Sequence, residues 1–198
     1  MTLDATIRAV QSKIGVAVDG NPGPQTWAAI HRAIVGDVPA AGVGKLADER
    51  SERTIATLLP QVQPLARALV ESAATIGISI KVISGTRTYD EQNVLYEQGR
   101  TNSGRIVTNA RGGYSNHNFG IAFDIGVFEG GRYLEESPAY KAVGALGMKL
   151  GLDWGGSWRT ITDEPHFQIR PAWAREMSER DMLAELRARR ARGQSAFA

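Results

Sequence analysis

The fold of the chain is decided by residues 115–124, which read SNHNFGIAFD. From residue 120 the run alternates as a strand does, so Ala122 and Asp124 point to one face while their apolar neighbours point to the other. Small residues at 120 and 122 leave space on the first face. The imidazole of His117, just before the strand, can therefore converge with the Asp124 carboxylate. The opposite face would enter the core, and it carries Ile121, Phe123 and Ile125.

A second segment, residues 163–168 with the sequence DEPHFQ, has a similar arrangement. Pro165 argues against a helix interior, and His166 and Gln168 alternate with apolar residues that look core-facing. Two histidines and one carboxylate make a common ligand set for catalytic zinc, with a fourth position left for water. Such a site also needs a nearby carboxylate as general base, and Asp163 is the natural candidate.

Each of these residues also has a purely structural interpretation. A single histidine in a strand is more often a satisfied structural residue than a metal ligand. An aspartate in an apolar strand is rarer, because burying an unpaired carboxylate is costly and a metal is one of the few good partners. The two segments together favour a metal site, but spacing alone leaves both interpretations open.

The composition narrows the chemistry of such a site. The 198-residue chain has no cysteine, which excludes disulfides, cysteine-ligated zinc, iron–sulfur clusters and cysteine nucleophiles. There are three histidines, of which His31 is far from both segments and is expected to be a bystander. No apolar run approaches the roughly 20 residues that cross a bilayer. The net charge is +2, and the basic excess lies in the C-terminal tail. The predicted catalytic domain is slightly acidic and has no basic stripe, so nucleic acid is not an expected partner.

The order of predicted elements indicates an α+β fold, because helices and short strands do not follow βαβ alternation. Residues 100–114, rich in Gly, Asn and Arg, are expected to form a loop. Strands are predicted at 78–84, 120–127 and 165–169. Helices are predicted at about 3–14, 24–35, 48–76 (bent at Pro60 and Pro64), 89–99, 138–151 and 172–192.

Four motifs along the chain carry a family resemblance. The run at 115–124 fits S-x-H-x-x-G-x-A-x-D and is followed by D-x-x-H at 163–166. Upstream lies SGTRTYDEQ at 84–92, and WGGSW occupies 154–158. These motifs, in this order, resemble those of the LAS-type (M15) zinc metallopeptidases over roughly residues 48–170. The resemblance implies a small, mainly antiparallel sheet flanked by helices, with an N-terminal helical hairpin and a C-terminal helix.

The same resemblance implies roles for individual residues. It implies one Zn²⁺ per chain, bound by His117, Asp124 and His166. It implies Arg87 as the group that helps bind substrate and stabilise the oxyanion, and Asp163 as the general base. The remaining candidate substrate contacts are Ser115, Gln92 and Trp154. Residues of these types more commonly cap a loop, lie on a helix surface or pack in a core.

Two adjacent acids, Asp163 and Glu164, compete for the role of general base. Strict extended alternation would place Glu164 on the face of His166. However, the step from Glu164 to Pro165 commonly lies in a turn or bulge that disrupts alternation, and the resembling family places its acid three residues before the ligand histidine. Asp163 is therefore the predicted base.

The two ends of the chain suggest accessory roles. Residues 1–36 resemble part of a helical peptidoglycan-binding module, and the turn-rich stretch VDGNPGPQT at 18–26 carries the resemblance. The alternative is a helical hairpin that packs on the catalytic domain. Residues 37–47 read as a linker, and the predicted catalytic domain spans 48–170. The tail at 171–198 carries clustered arginines, whose default interpretation is a solvated helix face and whose alternative is attraction to an anionic envelope surface.

The expected function is that of a phage or prophage endolysin, a zinc peptidase that cleaves the peptidoglycan stem peptide at the L-Ala–D-Glu bond. A D-Ala-D-Ala carboxypeptidase or dipeptidase is the alternative within the class. A non-catalytic, zinc-stabilised wall-binding module is the alternative outside it. The N-terminus lacks the apolar core of a secretory signal, so the protein is expected to wait in the host cytoplasm for release by a holin. It is expected to be a monomer.

Overall fold

The computed structural model describes residues 2–22, 26, 29–30, 33 and 47–197. The chain divides into two compact units, Met1–Gly44 and Lys45–Ala198, and each is described by itself. The predicted helix at 24–35 and the linker at 37–47 lie largely outside the described residues, and His31 lies wholly outside them.

The first unit begins with helix α1 (Leu3–Lys13), whose N-terminus is capped by the side chain of Thr2. The fully buried Gln11 on this helix organises the turn that follows it. Its Nε2 donates to the Asp19 carboxylate at 2.6 Å, and its Oε1 accepts from the Gly20 N–H at 2.9 Å. The polar turn is therefore tied to the helix by hydrogen bonds, and the helix predicted at 3–14 is confirmed.

The second unit contains the remaining elements. Short 3-10 turns lie at Asn116–Phe119, Gly155–Ser157 and Ala172–Ala174. The helices are α2 (Glu49–Ile55), α3 (Gln63–Thr75), α4 (Tyr89–Glu97), α5 (Ala139–Lys149) and α6 (Glu179–Ala191). The strands are β1 (Ser79–Ser84), β2 (Ala122–Glu129), β3 (Arg132–Leu134), β4 (Asp153–Trp154) and β5 (His166–Gln168).

The sheet has the order β1-β2-β5-β4, with β3 paired to β2, and every one of these pairs is antiparallel. Its register places Asp124 opposite His166 and Phe123 opposite Phe167. Because successive side chains point to opposite faces, the two phenylalanines stack on the core face, with ring centroids 5.8 Å apart. The predicted α+β fold with a small antiparallel sheet is confirmed.

Helices α2, α3 and α5 pack against the apolar face of the sheet, and burying one of their large side chains contributes about 1.5–3 kcal/mol. Two glycines let α5 approach closely. A Cβ at Gly147 would lie 2.4 Å from the Phe167 ring, and a Cβ at Gly144 would lie 2.4 Å from the Trp154 ring. The core includes Ile55, Leu69, Val82, Phe123, Val143, Trp154 and Phe167.

A second cluster forms under the C-terminal helix. Met182, Leu183 and Leu186 on α6 pack with Phe119 and Ile121, which border β2. The tail predicted as a separate element is therefore part of the second unit. It lies directly on the segment that carries His117.

Four elements differ from the sequence prediction. The helix predicted at 48–76 is split, because α2 ends at Ile55 and α3 begins at Gln63, with a proline in its first turn. Strands β3 and β4 were not predicted, since they have only three and two residues. The helix predicted at 172–192 is a 3-10 turn followed by α6. Among the described residues, every helix is too short or too polar to span a bilayer.

Candidate metal centre and substrate cleft

His117, Asp124 and His166 each bring one potential ligand atom to a common point. Asp124 and His166 face each other across β2 and β5, and His117 lies in the 3-10 turn before β2. Asp124 Oδ1 lies 3.0 Å from His166 Nδ1 and 3.2 Å from His117 Nε2, and the two ring nitrogens are 3.3 Å apart. The structure thus brings together the three predicted metal ligands.

The spacing of these atoms fits a small tetrahedral cation. Ligand atoms about 2.0–2.2 Å from a tetrahedral zinc are about 3.3–3.6 Å from one another, and the observed separations of 3.0, 3.2 and 3.3 Å are close to that range. The residues His117 and His166 are also buried, with 2% and 7% exposure. Two imidazoles and one carboxylate therefore form a donor set suited to zinc, although other divalent metals are compatible with it.

Hydrogen bonds behind each ring decide which nitrogen faces the centre. His117 Nδ1 lies 2.8 Å from the Gly85 carbonyl oxygen, so it donates and leaves Nε2 as an acceptor. His166 Nε2 lies 3.0 Å from Gln168 Oε1 and leaves Nδ1 towards the centre. Such partners behind a ligand histidine fix its tautomer and orientation.

Arg87 is the cation beside the ligand carboxylate. Its Nη2 donates to Asp124 Oδ2 at 3.2 Å, while its Nη1 donates to Gln92 Oε1 at 2.9 Å. Asp124 therefore keeps its other oxygen for the centre. Burial lowers the pKa of Arg87, with Asp124 opposing the shift, but an arginine pKa starts so high that the side chain stays charged.

The two carboxyl groups of the site have pKa values shifted in opposite directions. Burial alone would raise the pKa of Asp124, but the His117 and His166 rings outweigh it and hold that pKa well below its ordinary value. Burial raises the pKa of Asp163, against the opposing effect of His166. This difference suits a ligand role for Asp124 and a proton-transfer role for Asp163.

Asp163, and not its neighbour Glu164, lies in the cleft with the three ligands. The groups that act on the Asp163 carboxyl include His166, Asp124 and Arg87. Glu164 instead contributes to raising the pKa of the core residue Tyr140, which burial mainly raises to about 12. The alternation of side chains between the two faces of an extended chain is therefore broken before Pro165, as predicted.

The three candidate substrate contacts have different positions. Ser115 lines the cleft. Gln92 is fully buried, and its amide donates to Ala110 O at 2.8 Å while holding Arg87, so it positions the arginine. The prediction for Trp154 is wrong as to place, because its ring packs in the core against α5 and does not line the cleft. The tryptophan of the cleft is Trp158, whose ring centroid lies 5.2 Å from that of His166.

The cleft runs across the sheet and has a volume of about 1320 Å³. Ile83 and Arg87 line it from the β1 side, together with the loop at 106–110. Asp153 and Arg170 line it from the β4 side. Because Asp124 and His166 sit on the central strands β2 and β5 and His117 lies just before β2, the cleft extends past the ligands in both directions.

Two asparagines of the site were not singled out from the sequence. Asn118 Nδ2 donates to Arg87 O at 3.0 Å, and its Oδ1 accepts from the Gly113 N–H. Asn116 Nδ2 donates to Gln168 Oε1 at 2.6 Å. Both residues are buried, and two polar residues flanking a histidine in a buried turn were the signal that could have revealed them.

Two arginines of the C-terminal helix donate hydrogen bonds to backbone carbonyls of the second unit. Arg187 Nη1 donates to Gly113 O at 2.9 Å and stacks over the ring of Tyr114. Arg190 Nη1 donates to Asn118 O at 2.7 Å. These two guanidinium groups hold the loop around His117, and attraction of the tail to an anionic envelope stays a prediction.

A small antiparallel sheet with a buried His/Asp/His set, a second acid and an arginine in one open cleft defines a candidate metal-dependent hydrolase. The family model described as D-alanyl-D-alanine carboxypeptidase matches residues 108–169. The chain is 36% identical over 126 residues to the peptidoglycan L-alanyl-D-glutamate endopeptidase CwlK of Bacillus subtilis (strain 168), covering 58% of this chain and 74% of that protein. The chain belongs to the M15 peptidase family, which confirms the predicted relationship and the prediction of an enzyme.

Solved structures with some similarity include two peptidases. The Serratia marcescens L-Ala D-Glu endopeptidase ChiX is 23% identical, with a TM-score of 0.49, covering 62% of this chain and 87% of that one. The vancomycin-resistance D,D-pentapeptidase VanY from a VanB-type cassette, in complex with Zn(II), is 16% identical, with a TM-score of 0.46, covering 70% of this chain and 81% of that one.

Proposed function

We propose that this peptidase is zinc-dependent and hydrolyses the stem peptide of bacterial peptidoglycan, at the bond between L-Ala and D-Glu. The observation that carries the proposal is the placement of a metal-ligand triangle, the acid Asp163 and the cation Arg87 in one cleft. The similarity to CwlK, whose name gives the same bond, supports the choice of substrate.

Each residue of the cleft has a role in this proposal. His117, Asp124 and His166 would hold one zinc, which when bound supplies an activated water and polarises the scissile carbonyl. Asp163 accepts the proton of the attacking water and later delivers it to the leaving amine. Arg87 offers positive charge to the carbonyl oxygen as negative charge develops there.

The extent of the cleft favours an endopeptidase over an enzyme that removes a terminal residue. Ligand pockets for small molecules have volumes of about 300–1,000 Å³, and this cleft is larger, at about 1320 Å³. Its walls continue on both sides of the ligand triangle, so chain can lie on both sides of the scissile bond. The second candidate, a D-Ala-D-Ala carboxypeptidase, is supported by the description of the matching family model.

Digestion of purified peptidoglycan distinguishes these activities. We expect new amino groups without new reducing ends, and mass spectrometry should find fragments that begin with D-Glu. Free D-alanine as the sole product would establish the carboxypeptidase instead. New reducing ends would show a glycosidase and overturn the proposal.

Substitution of the ligands tests the metal. His117→Ala, Asp124→Ala and His166→Ala should each abolish hydrolysis and lower the zinc content from one per chain, because a three-ligand site does not tolerate the loss of a ligand. His31→Ala is the control and should change neither quantity. Elemental analysis and a peptidoglycan turbidity assay supply the measurements, and full activity after thorough demetallation would contradict the proposal.

Other parts of the proposal concern the biology of the protein. We propose a phage endolysin that acts on the wall after release from the host cytoplasm, and a monomer in solution. The phage origin, the localisation and the monomeric state are all predictions made from the sequence. Size-exclusion chromatography tests the last of them directly.

A further inference from the structure

A chain of polar side chains connects the C-terminal helix to His166. Glu179, the first residue of α6, accepts from Asn116 Nδ2 at 2.5 Å. The same amide nitrogen donates to Gln168 Oε1 at 2.6 Å, and that oxygen lies 3.0 Å from His166 Nε2. We propose that Glu179 is a positioning residue which, through Asn116 and Gln168, holds His166 in its metal-binding tautomer; the inference rests on the proposed metal centre.

The direction of the chain is set at the Glu179 end. An ionised carboxylate can only accept hydrogen bonds, so Asn116 must turn its NH₂ group towards Glu179. The amide oxygen then points elsewhere, and among the described residues Asn116 Oδ1 is buried without a hydrogen-bond partner. Buried polar atoms are usually paired. The unpaired oxygen therefore indicates an orientation imposed by the Glu179 carboxylate, the one neighbour of the NH₂ group that can only accept.

The orientation of Asn116 then decides that of Gln168. Because the asparagine offers a donor, Gln168 presents its oxygen, and this oxygen also faces His166 Nε2. With a metal bound at Nδ1, the ring proton resides on Nε2, from which it is donated to this oxygen of Gln168. If both amides were reversed, the Gln168 NH₂ would donate to Nε2. The ring proton would then lie on Nδ1, where a metal has to bind.

Glu179 is itself held in place. Its other oxygen accepts from Arg170 Nη2 at 2.6 Å, and Arg170 Nη1 donates to the carbonyls of Ala174 and Met177. The helix behind it is anchored by the fully buried Met182. Gln168 and Asn116 are 2% and 6% exposed, so both amides are shielded from water that could replace the missing partner. The Glu179 side chain is 45% exposed, and its ion pair with Arg170 is what holds the carboxylate against the buried amides.

Three variants test the role of Glu179. Glu179→Leu removes the acceptor, and we expect a loss of zinc affinity of about 10-fold, at the lower end of the effects of partners behind a ligand. Glu179→Gln can still turn an oxygen to Asn116 and should keep most of the affinity. Glu185→Leu is the matched control, since Glu185 lies on the same helix but pairs with Arg189 and Arg192. Affinity is measured by competition with a chromogenic chelator.

A rescue variant distinguishes the relay from a general loosening of the fold. A glutamate at position 168 has no NH₂ group, so it must accept from His166 Nε2 whichever way Asn116 turns. Gln168→Glu combined with Glu179→Leu should therefore restore the affinity that Glu179→Leu loses. If thermal unfolding shows that Glu179→Leu is damaged, Asn116→Leu breaks the same chain without altering α6 and replaces it in the comparison.

Two further readouts would not respond to a merely structural change. In the zinc-loaded protein, ¹H–¹⁵N NMR should show a His166 Nε2–H that exchanges slowly with water, and this exchange should be faster in Glu179→Leu. In the zinc-loaded enzyme, kcat should fall while KM stays the same. Unchanged exchange of the Nε2–H and unchanged zinc affinity in Glu179→Leu would overturn the relay. A wild-type protein that binds no zinc would instead overturn the proposed function.

Discussion

The pKa of the Asp163 carboxyl group depends on how the chain turns at the Glu164–Pro165 step. Asp163 is directed into the cleft, where burial raises its pKa, whereas the backbone oxygen of Glu164 accepts from Trp154 Nε1 at 2.8 Å in the core. Two adjacent acids thus have different environments. Of these two acids, Asp163 is the one that lines the cleft, which is where the proposed general base has to lie.

Asp163→Asn tests this difference at the residue scale. The variant should keep its zinc, because Asp163 is not one of the three clustered ligand residues, but lose roughly 10²–10⁴-fold in kcat, the usual effect of removing a general base. Glu164→Gln is the matched control and should lose little. Steady-state kinetics on a soluble muropeptide, with zinc content measured in parallel, give the answer, and exchanged outcomes would assign the base to Glu164.

Residues whose roles follow from local chemistry were predictable from the sequence. In a chain without cysteine, Asp124 and His166 stood out because strand alternation put each on a polar face, and His117 because it lies just before the first strand; the family motifs then favoured the metal site. Trp154 was misplaced because its position depends on Gly144, a residue of a separate helix that leaves room for the indole ring. Such long-range complementarity of shape leaves no local pattern in the sequence.

The contact between α5 and the sheet provides a prediction at the scale of elements. In an isolated helix, Gly→Ala stabilises by about 1 kcal/mol. In α5, however, a Cβ at Gly144 would lie 2.4 Å from the Trp154 ring, and a buried indole has little freedom to move. We therefore expect Gly144→Ala to destabilise the protein by about 1–3 kcal/mol, the usual effect of overpacking a core.

Chemical denaturation measures this effect, and the exposed Ala145 on the same helix supplies a control. Ala145→Val adds methyl groups to the same helix on a solvent-facing side, so its effect should stay within about 0.5 kcal/mol. A stabilised Gly144→Ala variant would show that helix propensity outweighs the close packing.

The elements that sequence patterns missed are those whose formation depends on neighbours. Strand β4 has two residues and exists because it pairs with β5, and β3 has three residues paired to β2. The longer elements β1, β2 and α5 carry enough periodic residues to be predicted with small errors at their ends. The break between α2 and α3 lies near the two prolines, where a bend was predicted and the helix instead stops.

At the scale of the whole molecule, both buried clusters and the cleft are built from residues beyond position 44. The sheet order places Asp124 and His166 on central strands, so the cleft is supported from both edges. The second unit therefore contains every described residue to which a catalytic role is assigned. The turn-rich segment of the first unit resembles part of a wall-binding module.

Deletion of residues 1–44 separates these two contributions. Turnover of a soluble muropeptide should be unchanged, because the cleft and its supporting core remain complete. Sedimentation of the shortened protein with insoluble peptidoglycan should decrease, and hydrolysis of that material should slow correspondingly, if the first unit binds the wall as its motif predicts. Equal sedimentation of both forms would remove the wall-binding role, whereas a loss of soluble turnover would show that the second unit depends on the first for its stability.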